Sequence, residues 1–400
     1  MNLRNELRRT PQALLAIVLL PVTFLPSLVM AALKVRLLRI SLFDRIGHLA
    51  MEPDCYLKDM KLGRVPFARP IFLPRNETPP ANPVLLDYWR PFIGYPKSAA
   101  VRALLRLFYY YPYLRFRATD YDGASKTAAG KFATAAAWGS RPPLLALTPD
   151  HIARGEAELR RMGIPEGTWF VGVHSREAGY STVDDSVHAF RNSPIESYRP
   201  AMEAIVARRG WCVRMGDPSG EPLKAMRGVI DYAHSSFRSD WMDLFLSARC
   251  RFFLGNTSGL FHASTIFGVP VALANMAPLY CVYAVRSGDL SIPKHFVRKN
   301  GEEISCTEML SSPAGNFRHT RLYTEAGIAV RDNTPEEIRA LTEEMLDRLD
   351  GKATYTDDDR RRQEAFRALM RPGYYGYGSL ASIGRDFLRQ AREFDAPSIG

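Results

Sequence analysis

The sequence predicts an α/β protein with a doubly wound parallel sheet, preceded by an N-terminal hydrophobic segment. Short apolar runs such as residues 169–174, 211–215 and 269–273 alternate with helical stretches, which is typical of parallel strands joined by helices. Polar residues directly follow several of these runs, as ligand-binding residues do in such sheets. Residues 13–33 carry no charge.

Composition narrows the class of protein. The chain has 400 residues, 46% hydrophobic and 24% charged, which excludes a mostly disordered or collagen-like protein and fits about two to three domains. The single long uncharged run excludes a polytopic membrane protein. A net charge of +11 favours anionic partners. The five cysteines form no CxxC pair, which favours reduced thiols in the cytosol over a disulfide framework or a zinc site.

The uncharged run, within a segment 1–34, predicts a membrane anchor. Its 21 residues reach the length of about 20 that spans a bilayer, and both flanks are basic. Pro21 and Pro26 interrupt a helix there, so a span and a helix lying in one leaflet both stay open, as does a cleaved signal peptide. We expect an inner (cytoplasmic) membrane protein with its catalytic domains on the cytoplasmic side.

Residues 35–145 predict a first α/β domain. A strand at 35–43 precedes a tight loop at 44–48, and a helix follows from residue 49. A short strand at 71–73 and a helix at 83–93 come next. Residues 98–117 interleave arginines with aromatic residues, which suits either a headgroup interface or an amphipathic helix with core aromatics. The chain contains no nucleic-acid-binding motif, so a nucleic-acid partner is not expected.

Residues 146–330 predict a second α/β domain, and 331–400 predict C-terminal helices. Helices open at Thr148 and Thr334, each a threonine cap followed by proline. A helix is expected at 195–209, a strand at 250–254, a helix from Ser258 or Gly259, and a last helix at 383–394.

Four loops after predicted strands supply the candidate binding residues. The guanidinium group of an arginine can bind a phosphate through two hydrogen bonds. The backbone amides and hydroxyls of the run Gly-Asn-Thr-Ser-Gly, at the predicted start of a helix, could bind a diphosphate. The alternatives without a binding role are solvated arginines, an ordinary turn at 214–218, and helix caps at Asp240 and at 257–259. The candidates are His174, Arg176, Arg191, Asn192, Arg214, Asp240, Thr257, Ser258, Gly259 and His262.

Several motifs are missing from the sequence. Neither a Walker A sequence nor a GxGxxG after the first strand occurs, which argues against P-loop and nicotinamide-dinucleotide proteins. The sequence also lacks GxSxG and HExxH, which argues against esterases and zinc proteases. None of the four candidate loops contains a DxD triplet, so no metal is predicted.

The loops resemble those of GT-B glycosyltransferases. The segment RIGHL resembles the loop after the first strand of lipopolysaccharide heptosyltransferases, and GNTSGLFH with FGVP resembles their donor-phosphate loop. The segment VHSR looks like the HxR motif of fucosyltransferase-like enzymes. The wider pattern over 41–57 and 170–280 is similar to a family of bacterial GT-B glycosyltransferases that is defined mainly from sequence.

This resemblance implies two Rossmann-like domains facing a cleft, with the acceptor on the N-terminal domain and a nucleotide-sugar on the C-terminal one. It implies no cofactor and no metal, so Arg176, Arg191 and the amides at 257–259 would neutralise the leaving diphosphate. The acidic residue after "RIG" in heptosyltransferases is the usual general base, and His48 stands there in this chain. The rivals for the base are Glu177, Asp184 and Asp185.

Together these features predict a membrane-associated glycosyltransferase acting in polysaccharide biosynthesis. Its partners would be a nucleotide-sugar, a glycan or lipid-linked acceptor, and an anionic membrane surface. Two alternatives stay open: a nucleotide-sugar epimerase or hydrolase of the same fold, and a non-catalytic nucleotide-binding scaffold.

Overall fold

The chain divides into two compact units, unit 1 (1–128) and unit 2 (129–400). The computed structural model describes a large part of both. The described residues are 18–40, 42–74, 77–117, 121, 130–179, 182–282 and 284–395, with the backbone alone at 182–184.

Unit 1 contains a three-stranded parallel sheet in the order β2-β1-β3, in which Leu37 pairs with Ile71 on one side and Arg115 on the other. Its elements are α1 (Leu20–Ala32), β1 (Val35–Arg39), α2 (Ile46–Lys61), β2 (Arg69–Phe72), α3 (Pro83–Trp89), α4 (Ala99–Phe108) and β3 (Arg115–Arg117).

The first strand and its loop are shorter than predicted. The strand β1 ends at Arg39, and α2 begins at Ile46, so His48 lies in the first turn of a helix and the predicted loop at 44–48 is wrong in that part. No side chain caps α2, and Gly47 disfavours a helix, so the usual start signals are missing. The predicted helix at 83–93 is α3, which is capped by Asn82 but ends at Trp89.

The aromatic residues of 98–117 have two fates. Phe108, Tyr109 and Tyr111 are buried in the core of unit 1, whereas Tyr110 and Tyr113 remain 43% and 36% exposed. Within the described residues, no helix combines the length and the apolar character needed to cross a bilayer, and residues 1–17 of the predicted anchor lie outside them.

Unit 2 has a seven-stranded parallel sheet in the order β12-β9-β8-β7-β4-β5-β6, and a separate antiparallel pair, β10 with β11. Its strands are β4 (Phe170–Val173), β5 (Trp211–Arg214), β6 (Val229–Ile230), β7 (Phe253–Gly255), β8 (Val271–Met276), β9 (Leu290–Pro293), β10 (His295–Arg298), β11 (Ile328–Arg331) and β12 (Ser382–Ile383). Its helices are α5 (Gly130–Trp138), α6 (Pro149–Arg161), α7 (Thr182–His188), α8 (Arg199–Ala207), α9 (Asp240–Arg249), α10 (Phe261–Thr265), α11 (Cys306–Ser311), α12 (Thr320–Glu325), α13 (Pro335–Leu349), α14 (Asp357–Leu369) and α15 (Arg385–Gln390).

The parallel α/β fold and the cap-based helix starts are confirmed. Thr148 accepts a hydrogen bond from the His151 amide at 3.2 Å, and Thr334 forms a capping box with Glu337. Three predictions are wrong in detail. A 3₁₀ turn at 195–198 precedes α8, the strand after residue 250 starts only at Phe253, and Ile383 belongs to β12 rather than to the last helix.

Candidate functional site

The strand order of unit 2 reverses between β4 and β7. From β4 the chain runs outward through β5 and β6, then returns to the other side of β4 with β7 and continues outward through β8 and β9. In open parallel sheets, ligands bind beyond the carboxyl ends of the strands at this reversal. The loops that follow these two strands are loop 174–179 and loop 256–260, and they contain five of the ten predicted binding residues.

His174 follows β4 directly and joins three strand ends. Its Nδ1 lies 3.0 Å from the carbonyl oxygen of Met215 after β5, and its Nε2 lies 3.0 Å from Ser258 Oγ after β7. Burial, together with the charges of Arg214 and Arg176, lowers the pKa of His174 to about 4 against the opposing bond to Met215. The imidazole is therefore neutral at physiological pH, with Nδ1 donating to Met215 and Nε2 accepting from Ser258.

The imidazole of His174 leaves no room for a side chain at residue 216. Gly216 has a φ of +125°, and a Cβ atom built on it would lie 2.6 Å from His174 Nδ1. Glycine is thus needed both for the backbone conformation and for the close approach of the ring.

Arg176 reaches across loop 174–179 towards residues 185–192. Its guanidinium donates to Asn192 Oδ1, and its Nη2 lies 4.0 Å from Asp185 Oδ1. Asp185 also accepts from the Gly179 amide at 2.7 Å, which shapes the same loop. The structure thus brings the predicted residues Arg176, Asn192 and Asp185 together, while the side chain of Asp184 lies outside the described part.

Asn256, which the sequence did not single out, fastens the two loops to each other. Its side chain is fully buried; Oδ1 accepts from the Arg176 amide at 3.0 Å, and Nδ2 donates to the hydroxyls of Ser175 and Ser193 at 3.2 and 3.0 Å. Thr257, Ser258 and Gly259 were predicted as binding residues because they follow a strand. Asn256 directly follows the same strand, β7, so the same signal could have identified it.

Loop 256–260 is a series of tight turns rather than the start of a helix. The predicted helix from Ser258 or Gly259 is wrong, because α10 begins at Phe261 and has only five residues. The Ser258 amide donates to the Asn256 carbonyl at 2.7 Å. Within the described residues, the amides of Thr257 and Gly259 donate to no protein acceptor. These two amides, rather than a helix terminus, are the backbone donors that an anion would find.

Arg191 and the Thr257 hydroxyl hold this loop in place. Arg191 donates through Nε and Nη2 to the Thr257 carbonyl at 3.2 and 2.8 Å. The Thr257 hydroxyl accepts from the Ala277 amide at 3.0 Å and so ties the loop to the end of β8. Both predicted binding residues therefore position the loop through these contacts.

Arg214 and Glu177 form an ion pair in which the arginine is buried. The Arg214 side chain is 3% exposed, and it donates to Glu177 Oε2 at 2.8 Å and to Asp231 Oδ1 at 3.0 Å. Glu177 Oε1 accepts from the Ile195 amide at 3.1 Å. Both carboxylate oxygens of Glu177 are thus engaged, which leaves it poorly suited to accept a proton from a substrate.

The remaining predicted residues of unit 2 occupy helices. Asp240 is the first residue of α9, and the preceding residue Ser239 is the N-cap. His262 lies in α10, where its ring centroid is 4.0 Å from that of Phe261.

Lys294 is a further residue that the sequence did not reveal. It follows β9, is 3% exposed, and donates to the Asn192 carbonyl at 2.6 Å and to Asp332. It thereby connects the end of β9 to the residue that binds the Arg176 guanidinium. An apolar strand followed by a polar residue, as at Val173–His174, is the signal that would have identified it.

Unit 1 holds the proposed base. His48 Nδ1 lies 2.6 Å from Oε1 of Glu52, one helical turn further along α2, and Glu52 is fully buried. A buried carboxylate at this distance fixes the orientation of the imidazole.

No cluster of three or more metal-ligating His, Cys, Asp or Glu side chains occurs among the residues that the structure describes.

Three solved structures that align with the chain are glycosyltransferases. A glycosyltransferase of family 9 from Veillonella parvula DSM 2008 is 13% identical, with 60% of this chain and 80% of that chain covered and a TM-score of 0.37. The dodecameric iron-containing heptosyltransferase TibC in complex with ADP-D-β-D-heptose is 12% identical, with coverages of 80% and 79% and a TM-score of 0.42. TibC from enterotoxigenic E. coli H10407 is 11% identical, with coverages of 80% and 78% and a TM-score of 0.38.

No protein-family model and no curated protein sequence matches the chain. The aligned structures belong to the class of proteins that the loops resemble.

Proposed function

We propose that the protein is a membrane-associated glycosyltransferase of the GT-B type. It moves a sugar from a nucleotide-sugar to a cell-surface glycan or a lipid-linked acceptor. The observation that carries the proposal is the convergence of loop 174–179 and loop 256–260 at the strand reversal of unit 2. There the Arg176 guanidinium and the amides of Thr257 and Gly259 supply donors for an anion.

Unit 2 binds the donor in this proposal. As the bond between the sugar and the diphosphate breaks, negative charge grows on the leaving nucleoside diphosphate. The fixed charge of Arg176 and the amides of loop 256–260 stabilise that charge without a metal ion or other cofactor. Since His174 is neutral, it contributes orientation of Ser258 rather than charge.

Unit 1 binds the acceptor and supplies the general base. His48 takes the proton from the acceptor hydroxyl, and Glu52 orients the imidazole for this transfer. Asp185 is the rival base, because one of its carboxylate oxygens, Oδ1, makes no hydrogen bond within the described residues. His48→Ala abolishing transfer but not donor binding would favour His48, and the same result for Asp185→Asn would favour Asp185.

The proposal places the catalytic units on the cytoplasmic side of the inner membrane. The uncharged residues 13–33 and the basic residues on both of their flanks support membrane association. The five cysteines of the sequence form no CxxC pair, which is compatible with a reducing compartment.

A thermal-shift screen tests donor binding. The full chain is titrated with UDP-, GDP-, CMP- and ADP-sugars in the presence of EDTA, since ligand that binds the native state raises the melting temperature. One nucleotide class should raise it in the wild type and in Arg249→Ala, whose side chain is a 54% exposed surface cation, but not in Arg176→Ala. No shift with any donor would contradict the proposal.

Product analysis then separates the candidate activities. Radiolabelled sugar appearing in a lipid or glycan fraction supports transfer. Free sugar or an epimerised nucleotide-sugar formed without acceptor would identify the hydrolase or epimerase instead. Donor binding with no product in either assay would identify a scaffold.

A further inference from the structure

Helix α1 directs its polar side chains inward. Thr23 and Ser27, one turn apart, are 7% and 0% exposed. The Thr23 hydroxyl lies 3.0 Å from the Tyr111 hydroxyl, and the Ser27 hydroxyl lies 2.5 Å from that of Tyr113. The only two hydroxyl-bearing residues of this helix are therefore bonded to the body of unit 1.

The opposite side of α1 is an apolar stripe, which we call the outer stripe. Its members recur at the three- and four-residue spacing of one helix face, and no charged residue occurs between positions 18 and 33. The outer stripe consists of Val22, Leu25 and Val29 of α1 together with Val18 and Leu33, which flank the helix; in chain order from Val18 these residues are 72%, 72%, 69%, 57% and 53% exposed. A helix packed on a protein in water buries its apolar face, so this orientation indicates a non-aqueous neighbour.

The surroundings of α1 extend this apolar surface. Helix α4 contacts α1 and exposes Val101 and Leu104 by 45% and 54%. Lys34 lies just beyond the end of α1, and its ammonium group is 5.6 Å from the centroid of the Phe67 ring. Phe67 is 63% exposed. Apolar side chains bordered by a lysine and an aromatic ring are typical of a headgroup interface.

The charge of the chain is concentrated in unit 1. Residues 1–128 contain 19 Lys and Arg against 9 Asp and Glu, so they account for +10 of the net charge of +11. Unit 2 is therefore nearly neutral. An anionic surface would attract the chain through the same unit that exposes the outer stripe.

We propose that unit 1 docks on an anionic phospholipid bilayer through the outer stripe, with α1 lying in the plane of the membrane. At 1.5 Å per residue the 13 residues of α1 extend about 20 Å, less than the ~30 Å hydrocarbon core. The inference rests on the membrane association in the proposed function and names the surface responsible. It brings a lipid-linked acceptor to the unit that carries His48.

Vesicle sedimentation of the full chain tests this. Wild-type protein should bind vesicles of phosphatidylcholine and phosphatidylglycerol at about seven to three, and bind pure phosphatidylcholine more weakly. The variant Val22→Asn/Leu25→Asn/Val29→Asn should lose at least about tenfold in partitioning. The matched control Ile152→Asn/Leu349→Asn, at 36% and 37% exposed positions of unit 2, should bind as wild type does. If the triple variant does not fold, Leu25→Asn alone provides the test.

Equal vesicle binding by the triple variant and the wild type would overturn the proposal. The proposal would also be overturned if the wild type formed a dimer and bound no vesicles while the triple variant was monomeric, because the outer stripe would then contact a second copy. The thermal-shift assay keeps the two proposals apart, since donor binding without vesicle binding overturns only the docking surface. Vesicle binding without donor binding overturns only the proposed function.

Discussion

Asn256→Ala is expected to lower the free energy of unfolding of unit 2 by about 3 kcal/mol. The Asn256 side chain is fully buried and makes three hydrogen bonds of 3.0–3.2 Å to the Arg176 amide, Ser175 and Ser193. A net contribution of about 1 kcal/mol for each bond gives this figure. The Ser175 hydroxyl keeps its own bond to the Ser193 carbonyl at 2.6 Å, whereas the Arg176 amide loses its acceptor.

Hydrogen exchange measured by mass spectrometry gives the local readout, alongside thermal unfolding. In Asn256→Ala, peptides containing the Arg176 amide should exchange faster, because that amide loses its acceptor. The matched control is Asn300→Ala, an exposed turn residue whose Oδ1 accepts from the Glu302 amide at 3.0 Å. The control should change stability much less and leave exchange at Arg176 unaltered.

The reasoning would be refuted by an Asn256→Ala protein whose stability and Arg176 exchange match those of the wild type. That result would mean that loops 174–179 and 256–260 keep their arrangement without the Asn256 side chain. The donor site would then depend on the sheet alone.

Two further changes probe the same unit. Gly216→Ala should weaken donor binding, because the new Cβ would lie 2.6 Å from His174 Nδ1 and the φ of residue 216 disfavours alanine. Titration of the donor in the thermal-shift assay measures the affinity, and an unaltered affinity would contradict this prediction. The carboxylates of Glu337 and Glu303 raise the pKa of His295 to about 9, although burial opposes them. The folded pKa exceeds the unfolded value of about 6.5, so this stabilisation is complete below pH ~6.5 and is lost as pH rises through about 9. The stability difference between wild type and His295→Gln should shrink over that range in urea unfolding, and a constant difference would contradict it.

The positions of the strand ends in unit 2 were predictable because their signal is local. An apolar run followed by a polar residue marks the end of a buried parallel strand, as at Val173–His174 and Gly255–Asn256. Helix starts at Thr148 and Thr334 were predictable for the same reason, since a cap and a proline lie within three residues of each other.

Pairings between distant residues were not predictable. Glu177 looked like a free carboxylate, yet it pairs with Arg214, which is 37 positions away. The two-residue strand β12 is too short for any periodicity, and it forms only because Ile383 reaches Ser291 on β9. The sequence also showed that α1 is apolar but not which of its faces turns outward.

The neutrality of His174 decides which residues of the candidate donor site can supply positive charge and hydrogen-bond donors. With a pKa of about 4, the ring binds no second proton in the physiological range, and its Nδ1–H is committed to the Met215 carbonyl. Nε2 must therefore accept from the Ser258 hydroxyl, which turns that proton away from any ligand. Ser258 cannot then donate to a phosphate while the pair is intact. The positive charge for an anion must therefore come from arginine, and the amide and guanidinium of Arg176 are held in place by Asn256 and Asn192.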